Sequence, residues 1–240
     1  VTAYDYPTGR LLDEAGVDIV LVGDSLGMVV LGFPDTTHVT LDHMLHHVEA
    51  TARGVKNALL VGDMPIHSYD TVEQAVQSAK KLFLAGADAV KLEGGAAQAG
   101  NIRAIVEAGI PVVGHIGLLP QKVLEEGGYK IKGKSSAEEE ALVRDVEAVA
   151  EAGACAVVVE GVTPHAARQV TVHSSIPTLG IGSGSHTCDG DVVVIHDLVG
   201  AFPWFIPAFV KPRADVAGSM TAAVKEWMED CYTEPGSISS

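Results

Sequence analysis

IVLVGD (19–24), LLVGD (59–63), AVKLE (89–93) and AVVVE (156–160) are four apolar runs that each close on a carboxylate: Asp24, Asp63, Glu93 and Glu160. Short Val/Ile/Leu runs of this kind read as parallel strands buried on both faces. In closed α/β barrels the residues at the C-terminal ends of such strands build the active site. Four acids delivered to one face would repel each other strongly. A divalent cation is the simplest remedy, and a site of hard oxygen ligands suits Mg²⁺.

Outward from these runs, strand and helix signals alternate. Strand candidates fall at 1–4 (VTAY), 18–23, 58–62, 89–92, 112–115, 155–159, 177–181 and 191–195, and helices at 8–16, 41–53, 72–85, 98–108, 137–152 and 164–173. Thr40, Thr71 and Ser136 stand where helix N-terminal caps belong. EAGVDIV (14–20), LAGADAV (84–90), EAGIPVV (107–113) and EAGACAV (151–157) repeat one device: a helix end, a glycine stop, then a strand. A long polar loop is expected over 117–135. Such alternation implies parallel strands joined by right-handed crossovers, and eight strands fit a (β/α)8 TIM barrel. A doubly wound sheet is the alternative, but it would not set so many carboxylates around one point. The 240 residues suit one barrel, which commonly runs to about 250. We expect a single domain over 1–231 and a disordered tail over 232–240 (YTEPGSISS).

Composition narrows the function classes. With 47% hydrophobic and 20% charged residues the chain is globular. A net charge of −15 lacks the clustered Lys and Arg of a nucleic-acid groove. A local cation and one lysine could still attract an anionic substrate. No apolar stretch reaches the roughly 18 residues of a membrane span. Cys155, Cys188 and Cys231 show neither metal spacing nor a disulfide pattern. With no secretory leader in residues 1–10, these features point to a cytoplasmic protein. Val1 already reads as part of a strand, so native residues are expected upstream.

Lys91 and Glu93, two apart on one strand, face the same side. Inside an apolar run they are expensive unless paired or functional: a structural ion pair closing the barrel is one reading, a metal and substrate site the other. Asp24 and Asp63 ending neighbouring strands favour the second. Asp24 is followed by Ser25 in GDSLG, and Asp63 precedes Met64-Pro65, which holds the strand end extended. Glu160, on a later strand, reads as either a general base or a strand-end cap. His115 reads as hydrogen-bonded structure more readily than as a catalyst. His43 and His47 have the spacing of a metal pair with nothing to complete it, and the glycine-rich GIGSGSH (180–186) lacks dinucleotide or P-loop spacing.

Longer phrases carry a resemblance. TAYDYPTGRLLDEAGVDIVLVGDSLGMVVLG (2–32), VTLDHMLHH (39–47), GDMPIHSY (62–69), VKLEGG (90–95), GIPVVGHIGLLPQ (109–121), GGYKIKGK (127–134), VVVEGV (157–162), LGIGSG (179–184) and DGDVVVIHDLVG (189–200) resemble the 3-methyl-2-oxobutanoate (ketopantoate) hydroxymethyltransferase family, over residues 2 to about 211. The resemblance implies a (β/α)8 barrel related to the phosphoenolpyruvate mutase and isocitrate lyase group. It implies transfer of a hydroxymethyl group from 5,10-methylenetetrahydrofolate, as co-substrate, to 3-methyl-2-oxobutanoate through a Mg²⁺-stabilised enolate, giving 2-dehydropantoate for pantothenate synthesis. It makes Asp24, Asp63 and Glu93 the Mg²⁺ residues, Asp24, Ser25, Asp63 and Lys91 the keto-acid contacts, and Glu160 the proton acceptor. It also implies a homo-oligomer, often a decamer.

Departures from the family pattern sit around the expected mouth: Leu119 for a usual Thr, Ile66-His67 for a pair with Phe, GSGSHT in the glycine turn, and Ala208 for a usual Lys. They bear on folate affinity and loop detail more than on reaction type. Two other functions fit the residues: a carbon–carbon or phosphorus–carbon lyase or mutase acting on another 2-oxo acid, which needs no folate, and a regulatory 2-oxo-acid binder, which needs no base.

Overall fold

The computed structural model describes residues 1–233. They fall into two compact units, Val1–Val194 and a second that begins at Ile195, each described by itself. The first contains seven strands: β1 (Ile19–Val22), β2 (Leu59–Asp63), β3 (Ala89–Glu93), β4 (Val112–Gly117), β5 (Ala156–Glu160), β6 (Thr178–Ile181) and β7 (Gly190–Asp191). They form one sheet in sequence order, and every pairing is parallel. Its helices are α1 (Tyr6–Glu14), α2 (Leu26–Val29), α3 (Leu41–Ala52), α4 (Val72–Leu84), α5 (Ala99–Glu107), α6 (Val123–Glu126), α7 (Ser136–Glu151) and α8 (Pro164–His173). The second unit holds α9 (Ile195–Leu198) and α10 (Val216–Thr233).

Of the expected eight-stranded barrel, the structure shows a seven-stranded parallel sheet curled into part of a barrel. VTAY makes no strand: Thr2 forms a single bridge with Leu21, and its N–H donates to the Val193 carbonyl at 3.1 Å. The run expected as strand 191–195 pairs only at Gly190–Asp191, and Ile195 opens a helix instead. The gap between first and last strands is therefore spanned by isolated bonds, not by a ladder. The polar loop of 117–135 also contains a 3-10 turn at Pro120–Lys122 and the helix α6. Of the tail expected over 232–240, Tyr232 and Thr233 extend α10, and 234–240 lie outside the described residues. Among the described residues no helix is long and apolar enough to cross a membrane.

Period-two alternation sorts the strand residues. One face carries Val61, Ala89, Val113, Ala156 and Val158, with Ile19, Leu21, Leu179 and Ile181 packed against them; this is the concave, inner face. The other face, including Val22, Leu60, Val90, Leu92 and Val157, is buried under the helices, each such side chain contributing about 1.5–3 kcal/mol. Gly114 shows how close that layer lies: a Cβ there would meet Val149 of α7 at 2.4 Å. The helix–glycine–strand device is real. Gly16, Gly86, Gly109 and Gly153 all have left-handed φ, between +80° and +110°, and each turns the chain from a helix into the next strand. Thr40 and Thr71 cap α3 and α4 as expected, while α7 is capped by Ser135, one residue before Ser136.

Candidate active site

Strand register assembles the site. Asp63 lies opposite Lys91, Glu93 opposite His115, and Gly117 opposite Glu160. Paired residues on parallel strands point to the same face, so these side chains converge at the C-terminal ends of β2 to β5. Lys91 Nζ donates to Asp63 Oδ2 at 2.6 Å and Oδ1 at 2.7 Å. Asp63 Oδ2 also accepts the Asp24 backbone N–H at 3.1 Å, which ties the turn after β1 to β2. Asp63 is thus the acid with its own counter-charge. All of Asp24, Asp63, Lys91, Glu93 and His115 are buried. A cavity of about 260 Å³ reaches Lys91 along the inner face from the N-terminal ends of the strands, past Val61, Val113 and Val158.

Asp24 and Glu93 share a different partner. The Gln121 side-chain amide donates to Asp24 Oδ2 at 2.8 Å and to the Met64 carbonyl at 3.0 Å. Its backbone N–H donates to Glu93 Oε2 at 3.1 Å. The Tyr69 hydroxyl donates to Gln121 Oε1. Burial, then the Glu93 charge, push the Tyr69 phenol pKa well up, so it stays protonated and serves as the donor.

The environments of these acids differ. Burial first, then the Asp63 charge, push the Asp24 pKa up to about 7, against the opposing pull of Lys91. Burial first, then Asp24, push Glu93 well above the ordinary carboxylate range. For Lys91, burial alone would lower the pKa, but Asp63, Asp24 and Glu93 together outweigh it and hold the ammonium above its usual value. One lysine therefore faces three buried acids, and the site lacks positive charge. Glu93 Oε1 is buried with no hydrogen-bond partner, as is His115 Nδ1, 3.5 Å away.

A divalent cation would answer that deficit. Among the described residues no three His, Cys, Asp or Glu side chains form a group able to hold a metal by themselves, and Asp63 spends both oxygens on Lys91. Mg²⁺, however, takes one or two carboxylates and fills its remaining positions with water and substrate oxygens. Asp24 and the orphaned oxygen of Glu93 fit that demand, with Asp63 as their neighbour.

Glu160 stands apart, at the end of β5 with 23% of its side chain open. Its Oε2 lies 3.3 Å from His115 Nε2, a nitrogen that donates to the Leu118 carbonyl at 3.0 Å. Gly117, opposite Glu160, has φ +97°, and a Cβ there would sit 2.3 Å from the Glu160 carbonyl oxygen. Gly117→Ala is expected to separate β4 from β5 at Glu160, destabilising by about 2–3 kcal/mol, or roughly 4–12 °C in Tm. Gly100→Ala on α5, where a Cβ meets nothing within 4 Å, should be neutral or stabilising by about 0.5–1 kcal/mol. Thermal unfolding of the two variants checks both expectations.

The structure thus brings Asp24, Asp63, Lys91, Glu93 and Glu160 to one end of the sheet. Ser25, beside Asp24, has its Oγ 2.8 Å from the Tyr4 hydroxyl. His43 and His47 are not a metal pair: His43 completes the capping box of α3, and His47 Nδ1 donates to the Tyr4 carbonyl at 2.6 Å. The glycine-rich turn after β6 spends the Ser183 hydroxyl on the Val159 carbonyl. Gln121 and Tyr69 went unread in the sequence as site residues. Their signal is faint, one amide and one phenol inside the otherwise apolar or turn-like phrases GLLPQ and IHSY.

The family model for ketopantoate hydroxymethyltransferase matches residues 1–235. A 3-methyl-2-oxobutanoate hydroxymethyltransferase from Ignicoccus hospitalis is 51% identical over 231 residues, covering 96% of this chain and 87% of its own. Among solved structures, a phosphoenolpyruvate phosphomutase from Streptomyces platensis subsp. rosaceus superposes with a TM-score of 0.67 at 18% identity, covering 95% of this chain and 82% of its own. A 2,3-dimethylmalate lyase of the PEP mutase/isocitrate lyase superfamily gives 0.62 at 19% identity, covering 100% and 84%. These two speak for the fold.

Proposed function

The chain belongs to the ketopantoate hydroxymethyltransferase family, and on that premise we propose that it transfers a hydroxymethyl group from 5,10-methylenetetrahydrofolate to 3-methyl-2-oxobutanoate, giving 2-dehydropantoate in the pantothenate pathway. The (β/α)8 plan belongs to the same proposal, with the Val1–Ala3 segment standing in place of one strand. So do a cytoplasmic location and assembly as a homo-oligomer. The exposed Trp204, Phe205, Phe209 and Trp227 of the second unit support assembly, since apolar surface facing water gains by burial against a partner.

The observation that carries the reaction is the sorting of four acids by environment. Asp63 is paired with Lys91, Asp24 and Glu93 are buried without a counter-charge of their own, and Glu160 is open to the mouth. Acids kept apart in this way take different roles. Asp24 and Glu93, with Asp63 beside them, would hold Mg²⁺. Held there, the ion would supply Lewis-acid charge to the substrate's keto group and so would make the C3 proton more acidic. The Lys91 ammonium has three donors, of which Asp63 takes two, and the third serves the substrate's carboxylate or its developing enolate oxygen. Ser25 and Asp24, adjacent in the turn after β1, orient the keto acid.

Glu160 takes the C3 proton. Carbon C3 then bonds to the folate methylene carbon, both methylene C–N bonds break, water adds its OH to that carbon, and the two folate nitrogens take up the C3 proton and the remaining water proton. The net products are 2-dehydropantoate and tetrahydrofolate. The fold neighbours favour a lyase or mutase as second reading, which predicts proton or bond chemistry on a 2-oxo acid without folate.

The test is NMR-detected exchange of the C3 proton of 3-methyl-2-oxobutanoate in D₂O, with and without Mg²⁺, followed by addition of methylenetetrahydrofolate. Metal-dependent exchange, then formation of 2-dehydropantoate, is the expected result. Folded protein that yields neither exchange nor product refutes the transferase reading.

A further inference from the structure

Gln121 is a neutral side chain that touches the carboxylate system from inside, and its contacts leave it no freedom. The Met64 carbonyl can only accept, so the NH₂ end of the amide must face it and Asp24 Oδ2. The protonated Tyr69 hydroxyl donates to the remaining oxygen. Together with the backbone N–H on Glu93 Oε2, one residue engages one oxygen of each of the two uncompensated acids. Glu93 Oε1 is thereby left as the buried oxygen without a hydrogen bond. Gln121 follows the proline of the 3-10 turn Pro120–Lys122, which fixes both its backbone and its side-chain donors relative to the strand ends.

We propose that Gln121 is a positioning residue for the divalent cation: locked by Tyr69, it clamps one oxygen each of Asp24 and Glu93 so that the opposite oxygens present to the ion. This rests on the Mg²⁺-dependent reading above. The amide does two things that a carboxylate or an apolar side chain in its place would not. It stabilises the Asp24 carboxylate without adding charge, and it fixes which Asp24 oxygen is free, while the backbone N–H of the same residue does so for Glu93. Outer hydrogen-bond partners of metal ligands typically account for about 10–100-fold in metal affinity.

Calorimetric titration of the intact protein with Mg²⁺ tests this, comparing wild type, Gln121→Met and Tyr69→Phe, with the Tm of each metal-free protein as a second measurement. The expected result is about 10–100-fold weaker Mg²⁺ binding for Gln121→Met. Tyr69→Phe should weaken binding less, because the Met64 carbonyl still biases the amide. In the C3-exchange assay the Mg²⁺ concentration for half-maximal rate should rise in step, with the rate recovering as Mg²⁺ is raised. Tyr69→Phe, which keeps the ring, reports even where Gln121→Met does not fold. A lowered Tm with unchanged Mg²⁺ affinity would mark Gln121 as merely structural and overturn the proposal. Wild type that binds Mg²⁺ while both variants match it overturns this proposal alone; wild type that binds no Mg²⁺ overturns the reaction reading as well.

Discussion

Glu160→Gln is expected to lower C3 proton exchange of 3-methyl-2-oxobutanoate by about 10²–10⁴-fold, the usual contribution of a general base, with Mg²⁺ binding and Tm close to wild type. The physical ground is how little holds Glu160. Asp63 is neutralised by Lys91, and Asp24 and Glu93 are clamped by Gln121. Among the described residues the Glu160 carboxylate meets His115 Nε2 at 3.3 Å, and that nitrogen already donates to the Leu118 carbonyl. A partly open carboxylate can accept a proton and pass it to solvent; the buried acids cannot. The amide of Gln keeps the shape and cannot take a proton. Exchange measured by loss of the C3 proton signal in D₂O, at saturating Mg²⁺, decides it. Wild-type exchange in Glu160→Gln would move the base elsewhere, with His115 as the nearest group.

How much of this was legible in the sequence depends on range. The strand ends were, because a carboxylate closing a Val/Ile/Leu run is a local pattern. So was the shared face of Lys91 and Glu93, which follows from the two-residue period. The caps Thr40 and Thr71 and the glycine stops were legible for the same reason. The register that sets Asp63 against Lys91 was not, since it depends on how β2 slides along β3. Gln121 and Asp24 are 97 residues apart, and no local signal joins them. The misread strands have a related cause. VTAY and the VVVI of 192–195 have strand composition, but a strand also needs a continuous partner. Thr2 and Val193 find each other through one bond, and Ile195 turns instead into a helix. Composition measured propensity there, and the missing ladder overrode it.

Lys91→Met should have the largest effect on the fold of any single change at the site. Lys91 and Asp63 are both buried and bonded twice. Removing one partner of a buried pair leaves an uncompensated charge, at a cost of about 3–5 kcal/mol. Here the loss reaches further, because the same ammonium opposes the upward shifts of Asp24 and Glu93. Without it the three acids cannot all stay ionised, and the strand ends would take up protons or open to water. The double variant Lys91→Met with Asp63→Asn separates folding from chemistry. It removes both charges, and the amide oxygen of the new asparagine can still accept the Asp24 N–H that Asp63 accepts now. Most of that loss should be recovered, since removing both charges together leaves neither one buried and uncompensated. Proton exchange should stay absent, because the donor for the substrate has gone. Chemical denaturation of the two variants, beside the exchange assay, tells the cases apart. A Lys91→Met protein as stable as wild type would mean that Asp63 is discharged some other way. An active double variant would mean that the ion pair belongs to the scaffold and not to the reaction.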